Sequence, residues 1–103
     1  MIITLNKASE LDKIVNSHKQ VLIDCFTTWC GPCKMQGPEL ETINQKYNDL
    51  TIVSIDIEKF PDIAKKFQIM AVPTIIYIVD KKIKYNNAGY LPAIQLEKII
   101  KEN

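Results

Sequence analysis

The sequence predicts an α/β fold in which a central mixed sheet of five strands carries four helices on its two faces. The first observation is the order of the elements, because strand-like and helical segments follow one another as β-α-β-α-β-α-β-β-α along the 103 residues. The second observation is apolar patterning. The second, third and fourth strands are almost continuously apolar, which is typical of strands covered on both faces, whereas the fifth alternates and is expected at an edge.

The N-terminal part of the chain predicts a strand, a helix and a second strand. The first strand is expected at Ile2–Leu5, and the segment Ser9–Asp12 resembles a capping box with Asp in place of the usual Glu. Helical periodicity then places apolar residues on one face, at Leu11, Ile14 and Val15. The second strand is expected at Val21–Phe26, an apolar run that contains one carboxyl group.

The middle of the chain predicts two helices on either side of a third strand. Pro38 lies inside the first of these helices and should kink it. The apolar residues of that helix recur at Leu40, Ile43 and Tyr47. The third strand is expected at Thr51–Ile57, and a short helix with Pro61 near its first position follows. The apolar face of the short helix comprises Phe60, Ile63, Ala64 and Phe67.

The C-terminal part predicts a hairpin and a last helix. Strands are expected at Thr74–Val79 and Lys82–Tyr85, and the two residues between them are few enough for a hairpin loop. The last helix is expected to begin near Pro92. Its apolar face comprises Leu96, Ile99 and Ile100.

Composition limits the class of protein. The length of 103 residues suits one domain over residues 1–103, and the apolar (47%) and charged (24%) fractions are those of ordinary globular proteins. The net charge is +1 and the chain has no Arg, so nothing favours binding to nucleic acid or to a membrane surface. Met1–Lys7 lacks the pattern of a signal peptide, and an odd number of cysteines is unlike a secreted disulfide framework. We therefore expect a monomeric cytoplasmic protein.

Residues 29–34, Trp-Cys-Gly-Pro-Cys-Lys, are the most informative segment of the chain. Cys30 and Cys33 lie at a strand-to-helix junction, which is typical of a dithiol that closes to a disulfide and opens again. Because a helix N-terminus favours an anion, we expect Cys30 to be the nucleophile. Cys33, one turn further on and expected to be more buried, is then the resolving cysteine. Gly31 permits close approach of the backbone, and Pro32 suits the first helical turn.

A zinc half-site is the structural alternative for a Cys-x-x-Cys pair. Zinc sites usually take four ligands from two such pairs, whereas this chain has one pair, with Cys25 in a strand and His18 in a distant helix. The sequence therefore favours the redox dithiol, and neither a metal nor a bound cofactor is expected. Cys25 is interpreted as a small buried apolar residue, and His18 as a residue that caps a helix or is solvated.

The motif and the landmarks around it resemble the thioredoxin family over essentially the whole chain. The further landmarks follow in the family's order, at Asp24, Pro38, Ala71–Thr74 and Ala88–Tyr90. The resemblance implies the thioredoxin fold and dithiol–disulfide exchange with oxidised proteins that have accessible disulfides. It also implies that a thioredoxin reductase, drawing electrons from NADPH, restores the dithiol.

Asp24 is a lone carboxyl in an apolar strand, so burial should raise its pKa. The resemblance implies that Asp24 relays protons and assists the deprotonation of Cys33. The family often pairs this carboxyl with a nearby Lys, and Ser54 stands at that position here. Proton transfer through Asp24 is therefore expected to differ from that of the usual family member. The alternative is an Asp without a catalytic role.

A docking surface for substrates is expected beside the cysteines. The resemblance implies that Pro73 is cis and faces the dithiol, and that the backbone of Val72 pairs with an extended substrate segment. The alternative is a proline that only begins the fourth strand. Trp29 is expected to form an apolar surface with residues 69–72 and Gly89, the alternative being a core tryptophan.

The chain also departs from the family's pattern beside the dithiol. Phe26 stands where many members have Trp, and Thr27-Thr28 replaces the more usual Ala and a variable residue. These changes are expected to affect partner choice and not the dithiol chemistry.

The leading function is a general protein-disulfide reductase. The first alternative is an oxidising or isomerising relative, which the Gly31-Pro32 pair argues against because the pair accompanies reducing members of the family. The second alternative is a non-catalytic binding subunit of a larger assembly, in which the dithiol is incidental.

Overall fold

The structure, a computed structural model, describes all residues from Met1 to Asn103. Its strands are β1 (Ile2–Thr4), β2 (Gln20–Phe26), β3 (Thr51–Asp56), β4 (Thr74–Val79) and β5 (Lys82–Ala88). They form one sheet in the order β1-β3-β2-β4-β5. β1, β3 and β2 are parallel to one another, β4 is antiparallel to β2, and β5 is antiparallel to β4. The predicted mixed sheet, with the fifth strand at an edge, is confirmed.

Helices cover both faces of the sheet, as predicted. They are α1 (Ser9–Ser17), α2 (Gly31–Lys46), α3 (Pro61–Lys66) and α4 (Ala93–Glu102). One core cluster joins strand residues to Leu11 of α1 and Ile63 of α3, and the other joins them to Leu40 of α2 and Leu96 of α4. Because side chains alternate along a strand, the buried central strands feed both clusters. None of the helices combines the length and the apolarity needed to cross a membrane.

Pro38 lies inside α2, as predicted. A proline in a helix interior removes one hydrogen bond and costs about 3 kcal/mol. The helix persists because it buries Leu40 and Ile43, which are 2% and 1% exposed, and each such side chain contributes roughly 1.5–3 kcal/mol. The free energy gained by burying these side chains therefore exceeds the cost of the proline.

The predicted capping box at Ser9–Asp12 is wrong. Ser9 is the first helical residue of α1, the preceding Ala8 occupies the cap, and no side chain caps the helix. The side chain of Glu10 instead turns back, and its Oε1 accepts hydrogen bonds from the backbone N–H groups of Asn6 at 3.1 Å and Lys7 at 2.8 Å. The carboxylate thus stabilises the loop before the helix.

Strand boundaries differ from the prediction mainly at β5, which continues beyond Tyr85 to Ala88 and pairs with the whole of β4. Only Tyr85 is partly buried in this strand. The covered face of β5 is therefore smaller than the alternation of polar and apolar residues predicts. The loop before β5 is a two-residue hairpin as predicted. Asp80 and Lys81 both have positive φ, 50° and 69°, which matches the right-handed twist of the paired strands.

Candidate active site

The cysteine pair lies where β2 leads into α2. Cys30 is the N-cap of α2, and Gly31 and Pro32 occupy the first two helical positions, where a proline lacks only a hydrogen bond that the helix start does not make. Cys30 and Cys33 form a disulfide with a Cα–Cα distance of 5.3 Å. The backbone N–H of Cys33 also donates to Cys30 Sγ at 3.2 Å. The first helical turn is thus directed at the Cys30 sulfur.

The expectation that Cys33 is more buried than Cys30 is wrong. Cys30 is 6% exposed and Cys33 is 7% exposed, because the disulfide holds both side chains within the first turn of one helix. The two residues differ instead in their surroundings, since each borders a separate cavity.

Cys30 borders an apolar pocket of about 610 Å³. Its lining includes Trp29, Pro32, Ile57 and residues 69–72. Trp29 is 71% exposed, which rules out a core tryptophan, and its Nε1 donates to Glu58 Oε1 at 3.1 Å. The ring therefore stands as one wall of the pocket, held by a hydrogen bond that sequence reasoning missed because its partner is 29 residues away.

The segment opposite the dithiol has a cis peptide bond between Val72 and Pro73, as predicted. The Val72 carbonyl oxygen lies 3.8 Å from Cys30 Sγ, and neither the N–H nor the carbonyl of Val72 makes a backbone hydrogen bond within the fold. The Pro73 carbonyl accepts from the N–H of Gly89 at 2.8 Å. Gly89 does not line the pocket, so the expected surface with Trp29 does not include it.

Cys33 borders the second cavity, of about 410 Å³, which is lined largely by polar residues. Asp24 lies in this cavity and is 5% exposed. Loss of hydration on burial raises its pKa to about 7, as the sequence predicts in direction. Ser54 also lines the cavity and is the register partner of Asp24 on β3. The serine thus lies beside the carboxyl, as the resemblance implies.

The remaining singled-out residues lie away from both cavities. Cys25 is fully buried in the core cluster on the other face of the sheet. Burial, and secondarily the charge of Asp24, raises its pKa to about 12, so it is not a thiolate near neutrality. His18 ends α1, and its Nδ1 lies 3.0 Å from the carbonyl oxygen of Ile14. No three His, Cys, Asp or Glu side chains are grouped as metal ligands would be.

Known proteins share both the sequence and the fold. A family model described as Thioredoxin matches residues 1–102. A thioredoxin of Mycoplasmoides gallisepticum is 35% identical over 96 residues, which cover 93% of this chain and 95% of that protein. The oxidized mitochondrial thioredoxin 3 of Saccharomyces cerevisiae, a crystal structure, matches with a TM-score of 0.90 and 34% identity over 99% of this chain and 95% of that one. A bifunctional thioredoxin reductase/thioredoxin of Mycobacterium leprae is 41% identical over 75 residues, 72% of this chain and 16% of that protein.

The sequence match and the site lead to one conclusion. The similarity extends along nearly the whole chain, and the cysteine pair forms its disulfide at the start of the helix that follows β2. Such a pair gains and releases two electrons by exchange with another disulfide. The chain therefore belongs to the thioredoxin family and is a dithiol–disulfide oxidoreductase of that type.

Proposed function

We propose that this chain is a general reductase of protein disulfides, acting as a cytoplasmic monomer with electrons from a thioredoxin reductase. The observation that carries the proposal is the placement of Cys30. It borders an apolar pocket, and its sulfur lies 3.8 Å from the carbonyl oxygen of Val72, whose N–H and carbonyl make no hydrogen bond to another backbone group of the fold. An extended segment of another protein would find both hydrogen-bonding groups and an apolar surface there.

Cys30 is the attacking cysteine in this proposal. In the reduced protein its sulfur needs to be a thiolate, which is the nucleophilic form. The N–H of Cys33 points at this sulfur from 3.2 Å, and α2 has no acidic residue in its first turn to compete for its positive end. Such an arrangement favours a negative charge at the helix start by about 0.3–2 kcal/mol.

Cys33 is the resolving cysteine. The Cys30 thiolate bonds to one sulfur of the substrate disulfide and expels the other as a thiolate. Cys33 then loses its proton to Asp24 and attacks Cys30, so that the bond from Cys30 to the substrate breaks and the Cys30–Cys33 disulfide forms. The dithiol loses two electrons, and the substrate disulfide gains them. Asp24 suits this role because, with a pKa of about 7, it accepts and returns a proton near neutrality.

Substrate binding is assigned to Val72, Pro73 and Gly89, with Trp29 beside them. The N–H and carbonyl of Val72, which bond to no other backbone group of the fold, would pair with the substrate backbone. Gly89 contributes indirectly, because its N–H holds the Pro73 carbonyl at 2.8 Å. Gly31 and Pro32 complete the active-site loop.

The reductase and the location belong to the same proposal. The M. leprae relative carries both the names thioredoxin reductase and thioredoxin in one chain, which supports a thioredoxin reductase as the electron donor here. A dithiol persists between turnovers in a reducing compartment, which supports the cytoplasm. Cell fractionation tests the location, and gel filtration of the reduced protein tests the monomer.

Trapping tests the roles of the two cysteines. A Cys33→Ser variant keeps the attacking thiol and lacks the resolving one, so it should accumulate mixed disulfides with oxidised substrate proteins, and dithiothreitol should release them. The matched control is Cys30→Ser, which should accumulate far fewer. Equal trapping by the two variants, or trapping on Cys25, would contradict the assignment. A Cys30→Ser/Cys33→Ser double variant that retains full biological activity would favour a binding subunit instead.

A further inference from the structure

The helix α2, which carries both redox cysteines, also buries a polar side chain, that of Gln36. The residue is 0% exposed and lies one turn after Cys33 on the same buried face of the helix. Burying an amide is unfavourable unless its donor and its acceptor are both hydrogen-bonded. Here Nε2 donates to the carbonyl of Leu91 at 2.8 Å, and Oε1 accepts the N–H of Leu91 at 2.9 Å. The side chain thus pairs with the Leu91 backbone as a residue of a neighbouring antiparallel strand would.

Leu91 lies in the loop between β5 and α4, and Gln36 supplies both of its backbone hydrogen bonds. The side chain of Leu91 is partly buried and packs against the core cluster that includes Leu40 of α2. Of residues 89–91, only Gly89 makes a hydrogen bond to another backbone group. The position of this loop relative to α2 therefore depends on the amide of Gln36.

The loop reaches the expected docking segment through Gly89. The N–H of Gly89 donates to the Pro73 carbonyl at 2.8 Å, and the carbonyl oxygen of the preceding Val72 lies 3.8 Å from Cys30 Sγ. Because Cys30 is the N-cap of α2, these contacts form a closed ring. The ring leads from α2 through Gln36 and the loop to residues 72–73, and back to the first turn of the same helix.

We propose that Gln36 is a positioning residue for substrate docking: its amide fixes the loop after β5, and through Gly89 it holds the backbone of residues 72–73 at the distance from Cys30 that a substrate segment requires. The inference rests on the proposed docking of substrate at Val72. Gln36 lines neither cavity, so it acts through the loop and does not touch the substrate. A docking edge that is fixed in advance strengthens binding, because less freedom is lost when the substrate binds.

Glu39, one turn further along α2, provides a matched control. Its Oε1 accepts the N–H of Ala93 at 2.9 Å, and Ala93 is the first residue of α4. This hydrogen bond also joins α2 to the chain after β5, but Ala93 follows Leu91 and is further along the chain from Gly89. Loss of the bond should lower the unfolding midpoint without moving the docking segment.

The test compares a protein disulfide with a small one. Gln36→Met removes both hydrogen bonds and keeps the length of the side chain. With insulin as the substrate, KM should rise by about fivefold and kcat should stay within about twofold, the pattern expected when binding is lost equally from the ground state and the transition state. The rate with the aromatic disulfide dithiobis(nitrobenzoate), which has no peptide backbone to pair, should be unchanged. Glu39→Ala should leave both measurements unchanged.

Gln36→Asn is the second variant, and it keeps the buried face of α2 polar. Its amide is one methylene closer to the helix, so it makes both bonds to Leu91 only if the loop moves. KM for insulin should therefore rise as in Gln36→Met.

Three results would overturn the inference. One is an unchanged KM for insulin in either variant. Another is an equal slowing with dithiobis(nitrobenzoate), which would place the effect at the dithiol. The third is the same rise of KM in Glu39→Ala, which would indicate that any loosening of this region weakens docking and that Gln36 has no specific role.

Trapping distinguishes this inference from the proposed function. If Cys33→Ser accumulates no mixed disulfide with insulin, the reduction of protein disulfides through Cys30 itself fails. If Cys33→Ser traps insulin and Gln36→Met leaves KM unchanged, only the role of Gln36 fails.

Discussion

Replacing Asp24 with asparagine tests the electrostatic cost of burying a carboxyl in the sheet. The side chain is 5% exposed, its Oδ1 has no partner within the protein, and burial raises its pKa to about 7. An aspartate in the unfolded chain has a pKa of about 3.9. The folded protein therefore keeps this proton to a higher pH than the unfolded chain does.

The sign of the effect on stability follows from this difference. Below a pH of about 3.9 the carboxyl is protonated in both states and has no effect. As the pH rises toward about 7, the unfolded chain ionises first, so the free energy of unfolding falls. A difference of about three pKa units, at 1.36 kcal/mol each, amounts to about 4 kcal/mol once both states are ionised. Near pH 5 the loss is about 1.5 kcal/mol.

Asparagine keeps the shape of the side chain and removes the charge. Asp24→Asn should therefore be more stable than the parent by about 1.5 kcal/mol near pH 5 and by about 4 kcal/mol near pH 8. The measurement is urea unfolding of the oxidised proteins, in which Cys30 and Cys33 do not titrate. Asp49→Asn, at an exposed position, is the matched control and should change the free energy by less than about 0.5 kcal/mol at either pH. A gain that does not grow with pH, or a less stable variant near pH 8, would refute the reasoning.

Three other substitutions test the exposed ring of Trp29, the buried thiol of Cys25 and the backbone at Gly89. Trp29→Ala should raise KM for a protein disulfide by about tenfold and change the unfolding free energy by less than about 1 kcal/mol, because the ring is 71% exposed; an unchanged KM in steady-state assays would remove it from docking. Cys25→Ser should lower the unfolding free energy by about 1–3 kcal/mol, because it buries a hydroxyl in an apolar cluster, and should preserve disulfide exchange, with Cys25→Ala as the control. Gly89→Ala should cost about 1–3 kcal/mol in urea unfolding, because its φ of 123° disfavours a side chain although space for a Cβ is open.

The sheet was predictable because its central strands are buried on both faces. A strand covered on both faces has little room for polar residues, so β3 and β4 are visible as apolar runs and their bounds agree with the prediction to within one residue. The end of β5 was not predictable in this way. Asn86 and Asn87 have low strand propensity, yet they pair with β4 because the ladder of hydrogen bonds continues past them.

The site divides along similar lines. The disulfide of Cys30 and Cys33 and the burial of Asp24 depend on local sequence, and local sequence predicts them. The hydrogen bond from Trp29 to Glu58 depends on how closely the loop after β3 approaches the loop that contains Trp29. No sequence pattern within either loop predicts that distance. The two cavities likewise form between segments that are distant in the sequence, so their linings required the structure.

The two cavities also explain how equally buried cysteines can have unequal roles. Exposure does not distinguish Cys30 from Cys33, but their surroundings do, since Cys30 borders an apolar pocket and Cys33 a polar cavity with Asp24. In the proposed mechanism a substrate occupies the first and leaves the second in contact with solvent, so docking does not block removal of the Cys33 proton. Substitutions in the apolar pocket should then change KM without changing the pH profile, and substitutions in the polar cavity should do the reverse. A pocket variant that shifts the pH profile would show that the two cavities are coupled and that this separation of roles is wrong.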